Sequence, residues 1–220
     1  GTCVIMGGVQ SIMDMQYSVY AYGAPELSLL SAGLTEMARY VGLPMFSTAG
    51  CTDTKILDPQ GAIEAATSVH SAMLSGANFI HDVGYFESGM TGSVLQLVMA
   101  DEQIGMSHVV AKGIEINEET LAVEEICNAG PGGNYADTGH TKKFAASHWQ
   151  PTLMDRRSYE DWAGQGRKTM KDRVIEKTRD IIANFVGPIS KVPADTKKQI
   201  ADILQAAEVR EAKKAETGNK

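Results

Sequence analysis

The first half of the chain repeats one pattern: a short apolar run, a polar loop and a longer stretch with apolar residues at helical spacing. The apolar runs near residues 3–6, 44–48 and 78–82 have the length of buried strands. A strand followed by a loop and an amphipathic helix is a βα unit, and successive units give parallel strands joined by crossover helices. The pattern therefore predicts an α/β fold with three parallel strands.

Start and stop signals bound the three predicted helices. Pro25 opens the first helix, after a long loop over residues 7–23. Asp58 is a suitable N-cap for the second helix, which Gly76 ends, and the third begins near Thr91. The apolar positions expected to face a core are Leu27, Leu30, Leu34, Met37, Ala38 and Val41, then Ile63, Ala66, Val69, Met73 and Leu74, then Val94, Leu95, Val98 and Met99.

The second half predicts helices joined by polar loops and no further strand. Asn117 caps a helix that continues through Ile126. Ser158 opens a long helix that ends at residues 187–188, and a last helix follows Pro193. The positions expected to be buried are Trp162, Met170, Val174, Ile175, Ile181, Ile182 and Phe185 in the long helix, and Ile200, Ile203, Leu204 and Ala207 in the last one.

We expect two parts from this change of pattern. Residues 1–113 would hold the βα units, and residues 114–220 would form a helical region that packs on them. From about residue 208 the sequence is charged and has little apolar stripe, which predicts a mobile tail.

Composition excludes several classes of protein. The 220 residues are 43% hydrophobic, enough for one domain with a sizeable core. With a net charge of -7 and no dense Lys/Arg cluster outside the last helices, nucleic-acid binding has little electrostatic support. No apolar run approaches the roughly 18 residues of a membrane span, and the amino end lacks a signal-peptide pattern, so we expect a cytoplasmic protein.

The cysteines and histidines give no metal-binding pattern. Cys3, Cys51 and Cys127 are odd in number and widely spaced, which favours reduced thiols over a disulfide framework or a C-x-x-C site. His140 and His148 are eight residues apart and lack the i, i+4 spacing of two ligands on one helical face. We expect no metal site.

Polar and aromatic side chains follow each predicted strand. Because parallel strands end at the same edge of a sheet, where ligands bind in α/β proteins, we expect one active site there. The candidates are Asp14, Tyr17, Tyr20 and Tyr22 after the first strand, Cys51, Thr52, Asp53 and Lys55 after the second, and His81, Asp82, Tyr85, Phe86 and Glu87 after the third. The alternatives are that the Cys51 loop is only a polar turn, that His81 and Asp82 pair to satisfy each other, and that about half of the aromatic residues only pack.

Three βα units do not close a barrel, which takes eight strands and roughly 250 residues. An open three-stranded sheet would also leave its edges exposed. Two interpretations remain: the carboxyl-terminal part of a longer barrel enzyme, or a complete small α/β domain that covers its edges with its own helices.

Several sequence motifs resemble one family. They are Tyr22-Gly23-Ala24-Pro25-Glu26, Ala38-Arg39-Tyr40 with Gly42-Leu43-Pro44, Gly50-Cys51-Thr52-Asp53-Thr54-Lys55, Ser75-Gly76-Ala77-Asn78, and Gln150-Pro151-Thr152-Leu153-Met154-Asp155-Arg156 with Trp162 and Gly166. In this order they resemble the trimethylamine and glycine betaine corrinoid methyltransferase superfamily, over most of the chain.

The resemblance implies the carboxyl-terminal units of a (β/α)8 TIM-type barrel followed by a helical region. It implies an enzyme that moves a methyl group from a methylated amine to the cobalt of a corrinoid (cobalamin), which a separate partner protein carries. The trimethylamine enzymes of the family carry pyrrolysine at or near the position of Cys51, and an ordinary cysteine there favours quaternary amines such as betaines. We also expect a homo-oligomer and no corrinoid bound tightly by this chain itself.

The residues support this chemistry independently of the family. A quaternary ammonium has no proton to donate, so its site attracts it with aromatic faces and carboxylates. We expect catalytic roles for Asp53, His81 and Glu87 and contact with the substrate for the other candidates, with Cys51 lining the pocket rather than acting as nucleophile. The alternative function is a noncatalytic α/β piece that serves binding or assembly.

Overall fold

A computed structural model describes residues 1–185 and 192–217, which form two compact units, residues 1–180 and residues 181–220. The described strands are β1 (Met6–Gly8), β2 (Ile12–Asp14), β3 (Val19–Ala21), β4 (Met45–Thr48), β5 (Phe79–His81), β6 (Tyr85–Phe86) and β7 (Thr91–Gly92). The described helices are α1 (Pro25–Tyr40), α2 (Pro59–Ser75), α3 (Val94–Lys112), α4 (Glu118–Leu121), α5 (Val123–Ala129), α6 (Gly139–Ala145), α7 (Tyr159–Gly164), α8 (Met170–Ala183) and α9 (Ala194–Thr217).

The main sheet has the strand order β1-β4-β5, and both pairs are parallel. Helices α1 and α2 connect consecutive strands, α1 packs beside α2, and α2 packs beside α3. The predicted α/β fold with a three-stranded parallel sheet is therefore confirmed. Two small antiparallel hairpins, β2–β3 and β6–β7, extend from the ends of β1 and β5.

The first strand lies later than predicted, because pairing with β4 begins only at Met6, opposite Met45. Residues 3–5 are exposed. The strand continues through Gly7, which the sequence pattern assigned to a turn. A Cβ at Gly7 would lie 3.0 Å from the Phe46 carbonyl oxygen, so the glycine allows a close approach of two backbones.

Neither hairpin was predicted from the sequence pattern. The stretch 7–23 is not one long loop, because Asp14 accepts hydrogen bonds from the backbone N–H groups of Gln16 and Tyr17 and closes a turn between β2 and β3. This turn contains none of the Gly or Asn-Gly signals that usually mark a hairpin. The β6–β7 hairpin likewise precedes α3, which begins at Val94 rather than near Thr91 and has Ser93 as its N-cap.

Helices α1 and α2 have the predicted bounds, but their buried faces differ from the predicted apolar stripes. Small and polar residues are buried, among them Ser31 and Thr35 on α1 and Ala65 and Ser68 on α2. These short side chains allow the two helices to pack closely, and this rotates the larger apolar residues outward. The predicted core positions that are exposed in the first three helices are Leu30, Met37, Val41, Ile63, Leu74 and Val94.

Two apolar clusters form the core of residues 1–180. One lies between the sheet, α2 and α3, with Ala49, Val69 and Ala72 buried against Met73, Ile80 and Ile104. The other joins the α2–α3 layer to the helical region and consists of Leu57, Phe86, Met99, Leu153 and Val174.

The helical region is more broken than predicted. The helix capped by Asn117 is split into α4 and α5 by Ala122, which has a left-handed φ of 50°. Ser158 does cap a helix, but α7 ends at Gly164 and α8 begins only at Met170, because Gly166 and Arg167 have positive φ.

The last helix begins after Pro193 as predicted, and α9 continues to Thr217. The predicted helix stop at 187–188 and the last three residues of the tail lie outside the described residues, and tail mobility stays a prediction. The predicted core positions that are exposed beyond residue 180 are Ile181, Ile182, Phe185, Ile200, Ile203 and Leu204. No helix in the described part of the chain is long and apolar enough to cross a membrane.

Candidate active site

One face of the sheet carries an aromatic stack. Side chains alternate along a strand, so Phe46 and Thr48 point to one face and Met45 and Ser47 to the other. The register places Phe79 opposite Phe46 and His81 opposite Thr48. The Phe46 ring stacks on Phe79 with centroids 5.0 Å apart and on His81 with centroids 4.0 Å apart.

His81 is held by a partner on each ring nitrogen. Its Nδ1 lies 2.8 Å from Asp82 Oδ1, and its Nε2 lies 3.2 Å from Thr48 Oγ1. Because an ionised carboxylate only accepts, Nδ1 donates its hydrogen bond to Asp82. Asp82 itself has a left-handed φ of 75°, an uncommon backbone conformation for a residue other than glycine.

Cys51 lies directly beside this pair. Its side chain is 1% exposed, and Sγ donates to the Asp82 carbonyl oxygen over 3.2 Å. Burial, and then the negative charges of Asp82 and Asp53, raise the pKa of Cys51 to about 12. The thiol therefore stays protonated at neutral pH. The chain reaches this position through Gly50, whose φ is 82° and where a Cβ would lie 2.9 Å from the Val83 side chain.

Two tyrosines complete the wall of the site. Tyr20 and Tyr22 meet edge to face with centroids 5.2 Å apart. Burial, and then Coulombic interactions with Cys51 and Asp82, raise the pKa of Tyr22. The Tyr20 hydroxyl donates to the Val9 carbonyl oxygen, which fixes its ring against the β1–β2 connection.

Asp53 connects the tyrosines to the third strand exit. Its Oδ1 accepts from the backbone N–H of Tyr22 at 2.9 Å and from the hydroxyl of Ser88 at 2.8 Å. Hydrogen bonds, ring contacts and electrostatic interactions thus connect one set of residues at the strand exits. We call this set the mouth cluster: Tyr20, Tyr22, Thr48, Cys51, Asp53, His81, Asp82 and Ser88.

Several predicted site residues lie in the same loops but have other partners. The Thr52 hydroxyl donates to the Tyr85 carbonyl oxygen, and Lys55 Nζ donates to the carbonyl oxygen of Asp53. Glu87 is exposed and accepts a long hydrogen bond of 3.4 Å from Thr91. Tyr85 is 40% exposed at the edge of the β6–β7 hairpin.

Three other candidates are not brought to the mouth cluster. Asp14 closes the turn of its own hairpin, and Tyr17 is 67% exposed in that turn. Phe86 is 4% exposed because its ring is part of the apolar cluster around Met99 and Leu153, which does not suit a substrate contact.

Four residues at or beside the site were not predicted from the sequence: Phe46, Thr48, Phe79 and Ser88. The first three could have been found from the alternation of side chains along β4 and β5. Phe46 and Thr48 are two residues apart, as are Phe79 and His81, and this spacing puts all four on one face of the sheet. Ser88 carried no such signal, since its position depends on a turn with two successive left-handed residues. Among the described residues, no group of three or more His, Cys, Asp or Glu side chains could hold a metal ion.

Comparison with known proteins identifies the family. Residues 1–211 match the family model for trimethylamine methyltransferase. The chain belongs to the trimethylamine methyltransferase family.

Named relatives of this family include enzymes with two different substrates. The chain is 34% identical over 208 residues to trimethylamine methyltransferase MttB1 of Methanosarcina acetivorans, covering 94% of this chain and 42% of that protein. It is 33% identical over 213 residues to the glycine betaine methyltransferase of Desulfitobacterium hafniense, covering 96% of this chain and 44% of that protein. The chain thus spans less than half the length of these relatives.

Proposed function

We propose that this chain contributes the methylated-amine site of a methyltransferase whose substrate is a quaternary amine such as a betaine. The observation that carries the proposal is the mouth cluster of this family member, which combines two tyrosine rings, a stacked histidine, the Asp82 carboxylate and a protonated thiol.

A quaternary ammonium suits this arrangement because it offers charge and no proton. Aromatic faces attract such a cation through the ring quadrupole, and a half-buried carboxylate adds a Coulomb attraction. Tyr20 and Tyr22 supply the rings, and Asp82 supplies the charge, with a side chain that is 26% exposed and so accessible to a ligand. His81 donates to Asp82 and fixes the direction of its carboxylate.

The methyl transfer would be an in-line displacement at a carbon made electrophilic by the positive nitrogen. The protein contributes mainly by orienting the amine and excluding water, and a quaternary substrate requires no acid or base. The raised pKa of Cys51 has a function in this scheme. A thiolate is a strong nucleophile and would compete for the methyl group, whereas the protonated thiol is a poor one.

The family resemblance supplies the acceptor, which is the cobalt of a corrinoid carried by a separate protein. The strand order supports a barrel, because consecutive βα units of a (β/α)8 barrel add neighbouring strands in one direction. The open face with Phe79, which is 60% exposed, would then face the barrel interior. A homo-oligomer in the cytoplasm completes this proposal.

The test is methyl transfer by the intact protein, expressed from its complete reading frame, to a reduced corrinoid protein. We expect glycine betaine to lose one methyl group, measured by mass spectrometry, with formation of a methylated corrinoid, followed by its absorption spectrum. Asp82→Asn keeps the Oδ1 that accepts from His81 but removes the charge, and should lower kcat/KM about tenfold or more.

The control is Asp101→Asn, which removes an exposed carboxylate on α3. It should leave kcat/KM unchanged. Binding of the amine without any loss of a methyl group would contradict the enzymatic proposal and favour a binding or assembly role.

A further inference from the structure

We propose that Asp53 is a positioning residue that holds three loops of the mouth cluster in register, and that Asp82 alone supplies the charge for the amine. This inference rests on the proposed function, since it divides the work between the two carboxylates of the same site.

The first observation is how the Asp53 carboxylate is used. One oxygen, Oδ1, accepts both from the backbone N–H of Tyr22 at 2.9 Å and from the hydroxyl of Ser88 at 2.8 Å. Tyr22 follows β3, and Ser88 lies in the turn between β6 and β7. The Asp53 Oδ1 atom, in the loop after β4, therefore connects the loop after β3 to the turn between β6 and β7.

The second observation is that Asp53 is itself fixed by α2. Its backbone N–H donates to Glu64 Oε2 at 2.7 Å, and Glu64 Oε1 accepts from Gln60 at 2.7 Å. The Glu64 carboxylate lies against Gly23, where a Cβ would come within 2.4 Å of it. Any side chain at Gly23 would displace Glu64. The absence of a side chain at Gly23 therefore leaves room for the carboxylate that holds Asp53 in place.

The third observation is strain in the turn that Asp53 holds. Glu87 and Ser88 have φ of 50° and 53°, a left-handed conformation that is strained for residues other than glycine. Two backbone hydrogen bonds to the Cys51 loop, from Glu87 N to Thr54 O and from Ser88 N to Thr52 O, and the Ser88 side chain on Asp53 oppose its relaxation.

The turn between β6 and β7 also lies against Tyr22, one of the two tyrosines of the mouth cluster. A Cβ at Gly89 would lie 3.3 Å from the Tyr22 ring, so the strained turn passes directly against that ring. Loss of the Asp53 acceptor would release both the backbone of Tyr22 and the turn beside its ring. The Tyr22 ring would then lose both of these supports.

The experiment compares Asp53→Asn with Asp53→Ala in the intact protein. Asparagine keeps an Oδ1 that accepts both hydrogen bonds but has no charge, so it should stay within about threefold of wild type in kcat/KM for glycine betaine. Alanine removes the acceptor and should lower kcat about tenfold or more, with a smaller change in KM. Ser88→Ala removes one of the two bonds and should fall between them.

A readout that needs no substrate is hydrogen exchange of the Tyr22 amide. It should be as slow in Asp53→Asn as in wild type and clearly faster in Asp53→Ala. Asp101→Ala, on the surface of α3, controls for the loss of an unrelated carboxylate. If Asp53→Ala does not fold, Ser88→Ala and Asp53→Asn still separate the two roles.

Two results would overturn the inference: an asparagine variant as impaired as the alanine variant while its Tyr22 amide stays protected, or an alanine variant with the activity and protection of wild type. The first would assign Asp53 to charge recognition. A wild-type protein that transfers no methyl group would overturn the proposed function instead, and the amide exchange would still decide whether Asp53 holds Tyr22.

Discussion

The βα region, residues 1–113, and the helical region, residues 114–180, are stabilised in different ways. The first has three helices of 16, 17 and 19 residues on a parallel sheet, with buried positions on every one of them. The second has helices of 4 to 14 residues, and its buried residues are Leu153, Val174 and Thr178. Regular secondary structure and apolar burial hold the first region, whereas few apolar contacts are available to the second.

A single carboxylate replaces much of the missing burial. Glu102 on α3 accepts hydrogen bonds from the backbone N–H groups of Thr152, Leu153 and Met154, at 2.8–3.1 Å, and from the Thr152 hydroxyl at 2.7 Å. Burial opposes ionisation of Glu102, but these hydrogen bonds outweigh it, and the net effect is to lower its pKa. Irregular backbone needs polar partners where it packs against a core, and Glu102 supplies them.

The largest expected difference between the regions concerns their cysteines. Cys51 is buried with a pKa of about 12, whereas Cys127 is exposed on α5. At neutral pH the thiolate fraction of Cys51 should be lower by about three thousandfold than that of an ordinary cysteine, which has a pKa near 8.5. Iodoacetamide labelling of the native protein, followed by mass spectrometry, should therefore modify Cys127 and spare Cys51. Equal labelling rates would contradict the burial of the thiol.

The next prediction concerns the stability of the apolar cluster that joins the two regions. Phe86→Ala should lower the free energy of unfolding by about 3–5 kcal/mol, because the ring fills the cluster that joins both regions. Its neighbour Tyr85 is 40% exposed, so Tyr85→Ala is the matched control and should cost far less. Urea unfolding measures both. A similar loss for the two variants would mean that Phe86 is not a core residue.

The sequence predicted the first region better than the second for a physical reason. Helix caps such as Asp58 and apolar periodicity such as that of α2 are local signals, and they gave the bounds of α1, α2, β4 and β5. The Glu102 contacts join residues 50 to 52 positions apart, and no local pattern marks them. The mouth cluster was predicted in part. Its place at the ends of the parallel strands was predicted, but the hydrogen bond from Ser88 to Asp53 depends on a turn conformation that has no sequence signal.

A smaller effect is expected for Glu102→Gln. The amide can accept through only one oxygen, so some of the N–H groups of residues 152–154 lose a charged partner, at a cost of roughly 2–3 kcal/mol. The loss should be local, with faster hydrogen exchange at Leu153 and Met154 and little change in α1 and α2. Asp101→Asn, one residue away and exposed, is the control. Unchanged protection of both amides would show that Glu102 does not anchor this segment.

The smallest effect is the pH dependence of the same contact. The folded-state pKa of Glu102 is lowered, so its ionised form adds stability above the ordinary pKa of about 4.3. This contribution is lost as the pH falls from about 4.3 through the lowered folded pKa. Wild type should therefore lose more stability than Glu102→Gln on acidification below about pH 5, as measured by urea unfolding at several pH values. Parallel pH profiles would contradict the lowered pKa.

The proposed function requires that the mouth cluster recognise the positive charge of a methylated amine. Calorimetric titration of the intact protein with glycine betaine and with 3,3-dimethylbutanoate, which has carbon in place of the charged nitrogen, tests it directly. We predict that glycine betaine binds at least about tenfold more tightly than the carbon analogue, and that Asp82→Asn removes most of this difference. Equal affinities for the two ligands, unchanged by Asp82→Asn, would contradict recognition of the charge.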